Sequence, residues 1–165
     1  MLLSPAQLAT LKAAIVADGA LNALPNNSDG NFAIAVAFNQ PASPAFTVWK
    51  TSVATDEIML NGFDWARVDN LTAGKARIWE WMTALGRINP SQDNVRVGVN
   101  ACFSAGPDSA NRLAVFGHSS RLATRLEKLF ATGSGTASND QGVGPGLLVV
   151  EGTVSGQDIE NARNS

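Results

Sequence analysis

The sequence predicts a mainly α fold: a small helical bundle, then a flexible linker, then a C-terminal β-strand or hairpin arm. Three observations predict it. Apolar residues recur at helical spacing between recognisable caps. Strand-like alternation is confined to short stretches. Beyond residue 132 the composition shifts abruptly to Gly, Ser and Thr. The expected division is a helical body over 1–132, a linker over 133–146 and a docking arm over 147–165.

The first helix is expected over about 5–18. Ser4 is its N-cap, Pro5 stands at N1 and Gln7 at N3, which is a capping box with proline in its favoured place. Leu3 and Leu8 form a hydrophobic staple, Leu8, Leu11 and Ile15 form the stripe, and Gly19 is the expected C′ residue. Asn26 to Gly30 is a turn and cap cluster. In 32–38, Phe32, Ile34, Val36 and Phe38 alternate with alanine. The period suits a strand, but alanine favours helix, and with Ser28 as a cap the segment reads as helix, stopped by Pro41 and Pro44.

Phe46 to Trp49 reads as extended. Thr55 is expected to cap a short helix through Met59, and Phe63 to Asn70 to form another helical turn. Thr72 opens a longer helix with Ile78, Trp81, Met82 and Leu85 at i, i+3, i+4 and i+7, closed by Gly86. On that stripe Trp81 is expected in the core, while Trp79 is expected to face elsewhere. The 95–99 segment alternates valines but leans to helix, with Asp93 as cap. Ser109 to Ala131 reads as the longest helix, with a late apolar face of Leu122, Leu126, Leu129 and Phe130 and a kink near Gly117–Ser120. Residues 147–150 with Thr153 and Val154 read as a strand or hairpin arm, and Ser155 as the cap of a short last helix through Ile159.

Of the 165 residues, 45% are hydrophobic and 16% charged. Soluble proteins carry roughly 25% charge. Either small polar residues do the solubilising here, or much of the surface is interface, where charge is depleted. A net charge of −2 gives no footprint for bulk capture of nucleic acid. Cys102 is the single cysteine, so no intrachain disulfide forms. No apolar run approaches the ~20 residues of a membrane helix, and Met1 to Pro5 lacks the features of a signal peptide. The expected setting is the cytoplasm, or release by lysis, with no membrane partner.

Chemistry is sparse. His118 is the only histidine and lies far from Cys102, so no metal-ligand spacing exists. No nucleophile elbow sits between strand and helix patterns. Gly142 to Gly146 lacks the Lys-Ser/Thr of a phosphate loop. Asp56 and Glu57 suit a helix start. The chain reads as non-enzymatic, with no catalytic residue, no metal and no cofactor. His118, Arg121, Arg125 and Lys128 fall near one face of the expected long helix. They read as a solvated face, or as an electrostatic seam to an acidic neighbour or to DNA in a channel. Candidate protein-interface residues are Leu147, Leu148, Val149, Val150, Val154 and Ile159 of the arm, with Trp49 and Trp79 as possible anchors. A strand without a partner leaves backbone groups to be paired by a neighbour.

Two blocks resemble a known group. One is Leu24 to Gly30, the alanine-rich segment after it, and Phe46 to Ser52. The other is Arg121 to Phe130, the Gly/Thr-rich stretch and Val150 to Asp158. Together they resemble tailed-bacteriophage virion structural proteins of the head–tail connector, or adaptor, kind. That resemblance implies a helical adaptor with an extended C-terminal arm, forming a ring of its own copies that joins portal to tail. It implies portal and tail proteins as partners, possible non-specific contact with DNA in a channel, synthesis in the host bacterial cytoplasm and residence in the virion. A capsid-cementing protein, a tail-assembly protein or a small phage-encoded protein-binding regulator are the alternatives.

Overall fold

A computed structural model describes residues 3–104 and 106–165. The mainly α expectation holds: the described residues form helices with two small two-stranded sheets. The chain groups into two compact units, each assembled from separated segments. One takes residues 1–45, 122–132 and 148–165; the other takes 46–121 and 133–147. The division therefore does not follow the body, linker and arm order of the sequence.

In the first unit, α1 (Pro5–Ala17) starts at Ser4 with both halves of the capping box formed. Asp18 ends it and in the same position caps α2 (Gly19–Asn22), so Gly19 opens a helix instead of closing one. The alternating segment is helix α3 (Ser28–Asn39), capped by the Asn27 side chain. Its Ile34 and Phe38 are buried on one side and Phe32 and Val36 exposed on the other. Helix α9 (Arg125–Phe130) and helix α10 (Gly156–Asn164) complete the unit, with α10 packed on α1 and α3. Leu11, Ile15, Ile34, Phe38, Leu126, Val150, Val154 and Ile159 form one core cluster.

Two side chains fasten the 148–155 segment into this core. The Asn39 amide donates to the Val154 carbonyl and accepts from the Val154 amide, both at 2.9 Å. The buried Glu127 carboxylate accepts from the Thr124 amide at 3.0 Å and the Gly152 amide at 3.2 Å. The expected C-terminal strand is therefore not an arm. Past single bridge positions at Gly146 and Leu147 the segment has no strand, and its Val150 and Val154 are consumed by the chain's own core.

The second unit holds β1 (Thr47–Trp49), β2 (Val53–Ala54), α4 (Thr55–Ile58), α5 (Trp65–Asp69), α6 (Ala73–Thr83), β3 (Arg87–Ile88), α7 (Asp93–Cys102), α8 (Ser109–His118) and most of β4 (Ser120–Leu122). β1 pairs with β4, and β2 pairs antiparallel with β3 in the register Val53↔Ile88. Residues 95–99 lie within α7, so that alternation is helical. Ser28, Thr55 and Asp93, expected as caps, are instead the first residues of their helices.

The expected long helix over 109–131 is broken into α8, β4 and α9. Thr124 and Glu127 form a full capping box, which starts a new helix where the sequence reading carried the old one through. The expected linker is also built into the unit. The Gly135 carbonyl accepts from the Thr47 amide at 2.7 Å, and Gly146 exchanges bonds with Thr47 and Trp49 at 2.9 and 3.0 Å. Gly135 (φ +66°) and Gly144 (φ +128°) stand where a side chain would strike the Phe46 ring and the Ala137 carbonyl. Glycine here allows a tight fold-back, so its abundance does not mark a loose tether.

Two outcomes follow for stability. Gly30 sits where an added Cβ would lie 2.0 Å from the Pro25 carbonyl oxygen, whereas Gly74, in α6, faces open space. Gly30→Ala is expected to destabilise by several kcal/mol through that clash, and Gly74→Ala to stabilise by ~0.5–1 kcal/mol. Urea titration of each variant checks the opposite signs. The second outcome concerns acid. Burial opposes the charge on Asp158, hydrogen bonds from the Ser155 hydroxyl and amide favour it, and the net balance holds the carboxyl below its usual range. A lowered folded pKa contributes stability that is complete above the unfolded value of about 4 and is lost as pH falls through the folded value. The urea midpoint should therefore fall between about pH 5 and about pH 2 in wild type, and fall less in Asp158→Asn.

Candidate functional site

The α6 helix decides what the second unit shows to solvent. Trp79 is buried at 4% exposure, stacked on Phe63 at 5.7 Å and edge-on to Phe103 at 5.1 Å. Phe63 in turn meets Phe103 and Trp65 edge-on. Lys75, Ala76, Met82 and Thr83 share the partly buried side with Trp79. The opposite expectation, Trp81 inside and Trp79 elsewhere, is corrected. The helix is turned about 100°, the angle of one residue, from the face the apolar spacing selects. Trp79 wins because two aromatic rings, Phe63 and Phe103, offer it a face and an edge contact, each worth ~0.5–1.5 kcal/mol beyond burial.

The consequence is an uncovered ridge. Ile78, Trp81 and Leu85 keep their i, i+3, i+7 spacing but are 36%, 69% and 88% exposed. Leu85 extends the ridge just beyond Ala84, the C-cap of α6. Arg77 and Glu80 are exposed on the same helix. Isolated exposed apolar residues are normal; a spaced row with a tryptophan at its centre has the composition of a contact hot spot. No protein-family model matches the chain, and no curated protein or solved structure matches it. The ridge is therefore read on its own geometry.

The residues singled out from sequence are placed as follows. Trp49 is buried, edge-on to Phe116 at 5.8 Å with the Arg96 guanidinium 5.4 Å over its ring. Neither Trp49 nor Trp79 is available to anchor a partner. Val150, Val154 and Ile159 are core, whereas Leu147 and Val149 are exposed and Leu148 is half-buried. Of the six arm residues, only Leu147, Leu148 and Val149 keep surface to offer.

His118, Arg121, Arg125 and Lys128 do not form one helical face. His118 ends α8, Arg121 lies in β4, and Arg125 and Lys128 lie on α9. The strand break after Ser119 destroys the spacing that grouped them. Each has local work: the His118 Nε2 meets the Asn61 carbonyl at 3.1 Å, and Lys128 donates to the Pro44 carbonyl at 2.8 Å. Arg125 donates to Asp18 at 2.8 Å and lies 4.7 Å over the Phe38 ring. That guanidinium, with the Leu21 amide, holds the Asp18 carboxyl below its usual range.

Among the described residues no group of three His, Cys, Asp or Glu side chains is placed to hold a metal ion. Burial pushes the Cys102 thiol up to about 11, against a weaker opposing pull from Lys75, so it stays a thiol near neutral pH. In the first unit a concavity of about 390 Å³ lies between the start of α3 and the start of α10. Asn26, Asn27, Asn31, Gln157 and Glu160 line it, with the exposed Phe32 at its edge. Its buried Asn31 is already bonded to Asn26 and Arg163.

The two tryptophans of α6 separate core from surface. Trp79→Ala is expected to cost ~3–5 kcal/mol, and Trp81→Ala to stay within about 0.5 kcal/mol of wild type. Guanidinium unfolding of the two single variants checks this difference.

Proposed function

We propose that this chain is a structural protein that acts by packing against other protein chains. The observation that carries the reading is the exposed Ile78–Trp81–Leu85 ridge of α6. Burying it against a complementary surface would remove apolar area from water, a gain of roughly 25 cal/mol per Å² before the costs of association. The low charge of the chain supports the same reading, because few charged groups need to be desolvated when surfaces meet. The setting we propose is the neck of a tailed-phage particle, with the chain as a head–tail connector. The resemblance of its two sequence blocks supports this setting.

In this proposal the contact is made by α6, with the short exposed stretch at Leu147–Val149 as a secondary element. The partners are copies of the chain in a ring, where one copy's ridge meets a different patch of the next, together with portal and tail proteins. A head-to-tail contact of this kind closes into a ring when its rotation permits. No described helix is long and apolar enough to cross a membrane.

The test uses particles carrying the double substitution Trp81→Asp and Leu85→Asp. Both side chains are exposed, so the subunit should fold with a wild-type melting profile while its retention in particles falls more than tenfold. Electron cryomicroscopy of wild-type particles should place the chain between portal and tail. A position over the capsid surface would replace the connector role with cementing. Absence from particles would sink both roles and bring forward a regulator that binds a host protein. Wild-type incorporation of the double variant would remove the ridge as the contact.

A further inference from the structure

Among the described residues the single histidine joins no metal-holding cluster, yet it is aimed at a specific peptide group. Asn61 is the only asparagine in the chain followed by glycine. Asn–Gly is the most labile asparagine context, because glycine does not shield its own amide nitrogen. That nitrogen attacks the side-chain Cγ to give a five-membered succinimide. The side-chain amide leaves as ammonia, taking up the proton lost by the glycine nitrogen. Water then opens the ring at either carbonyl, leaving aspartate or isoaspartate.

The geometry around Asn61 opposes this reaction. The Phe63 amide donates to the Leu60 carbonyl at 3.0 Å, closing a four-residue turn with Asn61 and Gly62 at its centre. Gly62 has φ +93°, and among the described residues none other than glycine has a positive φ. A negative φ followed by a positive φ is the signature of a type II turn. Asn61 and Gly62 are exposed, and the Gly62 amide donates to no carbonyl among the described residues. The turn therefore has solvent and an unengaged nucleophilic nitrogen.

Ring closure needs the Asn61–Gly62 peptide group to rotate about the Asn61 Cα–C bond, so that its nitrogen swings toward the side chain. The same rotation carries the Asn61 carbonyl oxygen away. The His118 Nε2 lies 3.1 Å from that oxygen. Facing a carbonyl, the ring nitrogen must be the donor, in the Nε2–H tautomer or in the imidazolium. The bond is made in the resting turn and must break before the ring can close.

We propose that Asn61–Gly62 is a latent site of spontaneous deamidation, and that His118 restrains it by holding its peptide group in the unreactive orientation. Conversion would place a negative charge beside Leu60, which is itself exposed in the turn after α4. In the isoaspartate product the main chain between α4 and α5 would also lengthen by one methylene. His118 is a positioning residue in this scheme, because it touches the backbone carbonyl and not the reacting atoms.

The test follows amide-to-acid conversion at each asparagine by peptide mapping and mass spectrometry, in folded protein held near neutral pH. In the urea-unfolded chain Asn61 should convert ahead of every other asparagine. In the folded wild type its rate should drop by at least about tenfold, because turn and latch must both open. His118→Ala should raise the folded rate about two- to tenfold, the worth of one net hydrogen bond. His118→Gln, which keeps a donor, should stay nearer wild type. Circular dichroism establishes that each variant is folded. Equal rates for Asn61 in folded and unfolded wild type would overturn the proposal without any variant. An unchanged rate in folded His118→Ala would remove the latch.

Discussion

The burial of Trp79 is the constraint on which the second unit depends. Its ring lies on Phe63 and against Phe103, and those contacts fix the rotation of α6 about its own axis. Once that angle is set, the remaining side chains of the helix have no freedom of placement. Met82 is drawn toward Gly98 on α7, whose missing side chain leaves room for the sulfur. Ile78, Trp81 and Leu85 are carried outward as a set. An apolar outer face is thus the direct result of a better inner one.

In the first unit the comparable role falls to hydrogen bonds from buried polar groups. Glu127 is nearly fully buried and accepts main-chain donors from two places far apart in sequence. Asn39 brackets Val154 from both sides. A buried carboxylate is tolerated because its oxygens are satisfied by fixed N–H groups. The same groups determine where the last segment runs, since irregular chain has no ladder of its own to follow.

Legibility in the sequence followed the range of the physics. The Ser4 capping box and the Ser155 cap were readable because each is completed within four residues. Helix α3 was readable because alanine at alternate positions outweighs an alternating pattern. The rotation of α6 was not, since Trp79 owes its burial to rings at 63 and 103, and no local spacing reports them. The break after α8 was signalled by the Thr124–Glu127 box, but leucines at 122, 126 and 129, at helical spacing, conceal it. The glycine-rich stretch misled for a different reason: composition alone does not separate glycines that permit motion from glycines that permit close approach. The proposed contact site suffered most, because five of the eight residues named for apolar character, Trp49, Trp79, Val150, Val154 and Ile159, were ones the fold buried.

The first unit is closed by chain that is made well after its first helices. Helices α1 and α3 leave the ribosome before residues 148–165, but the core that holds Ile15, Ile34 and Phe38 is complete only when Val150, Val154 and Ile159 arrive. Synthesis of everything between them must be complete before that core exists. Loop-closure entropy must be overcome before these distant contacts form, which slows the final step relative to helix formation. A chain halted anywhere before residue 148 would carry an open apolar cleft, and such surfaces are bound by chaperones and cut by proteases. Closure by residues 148–165 therefore acts as an inspection step: the core is sealed when chain distant from α1 and α3 has been made and has packed on them.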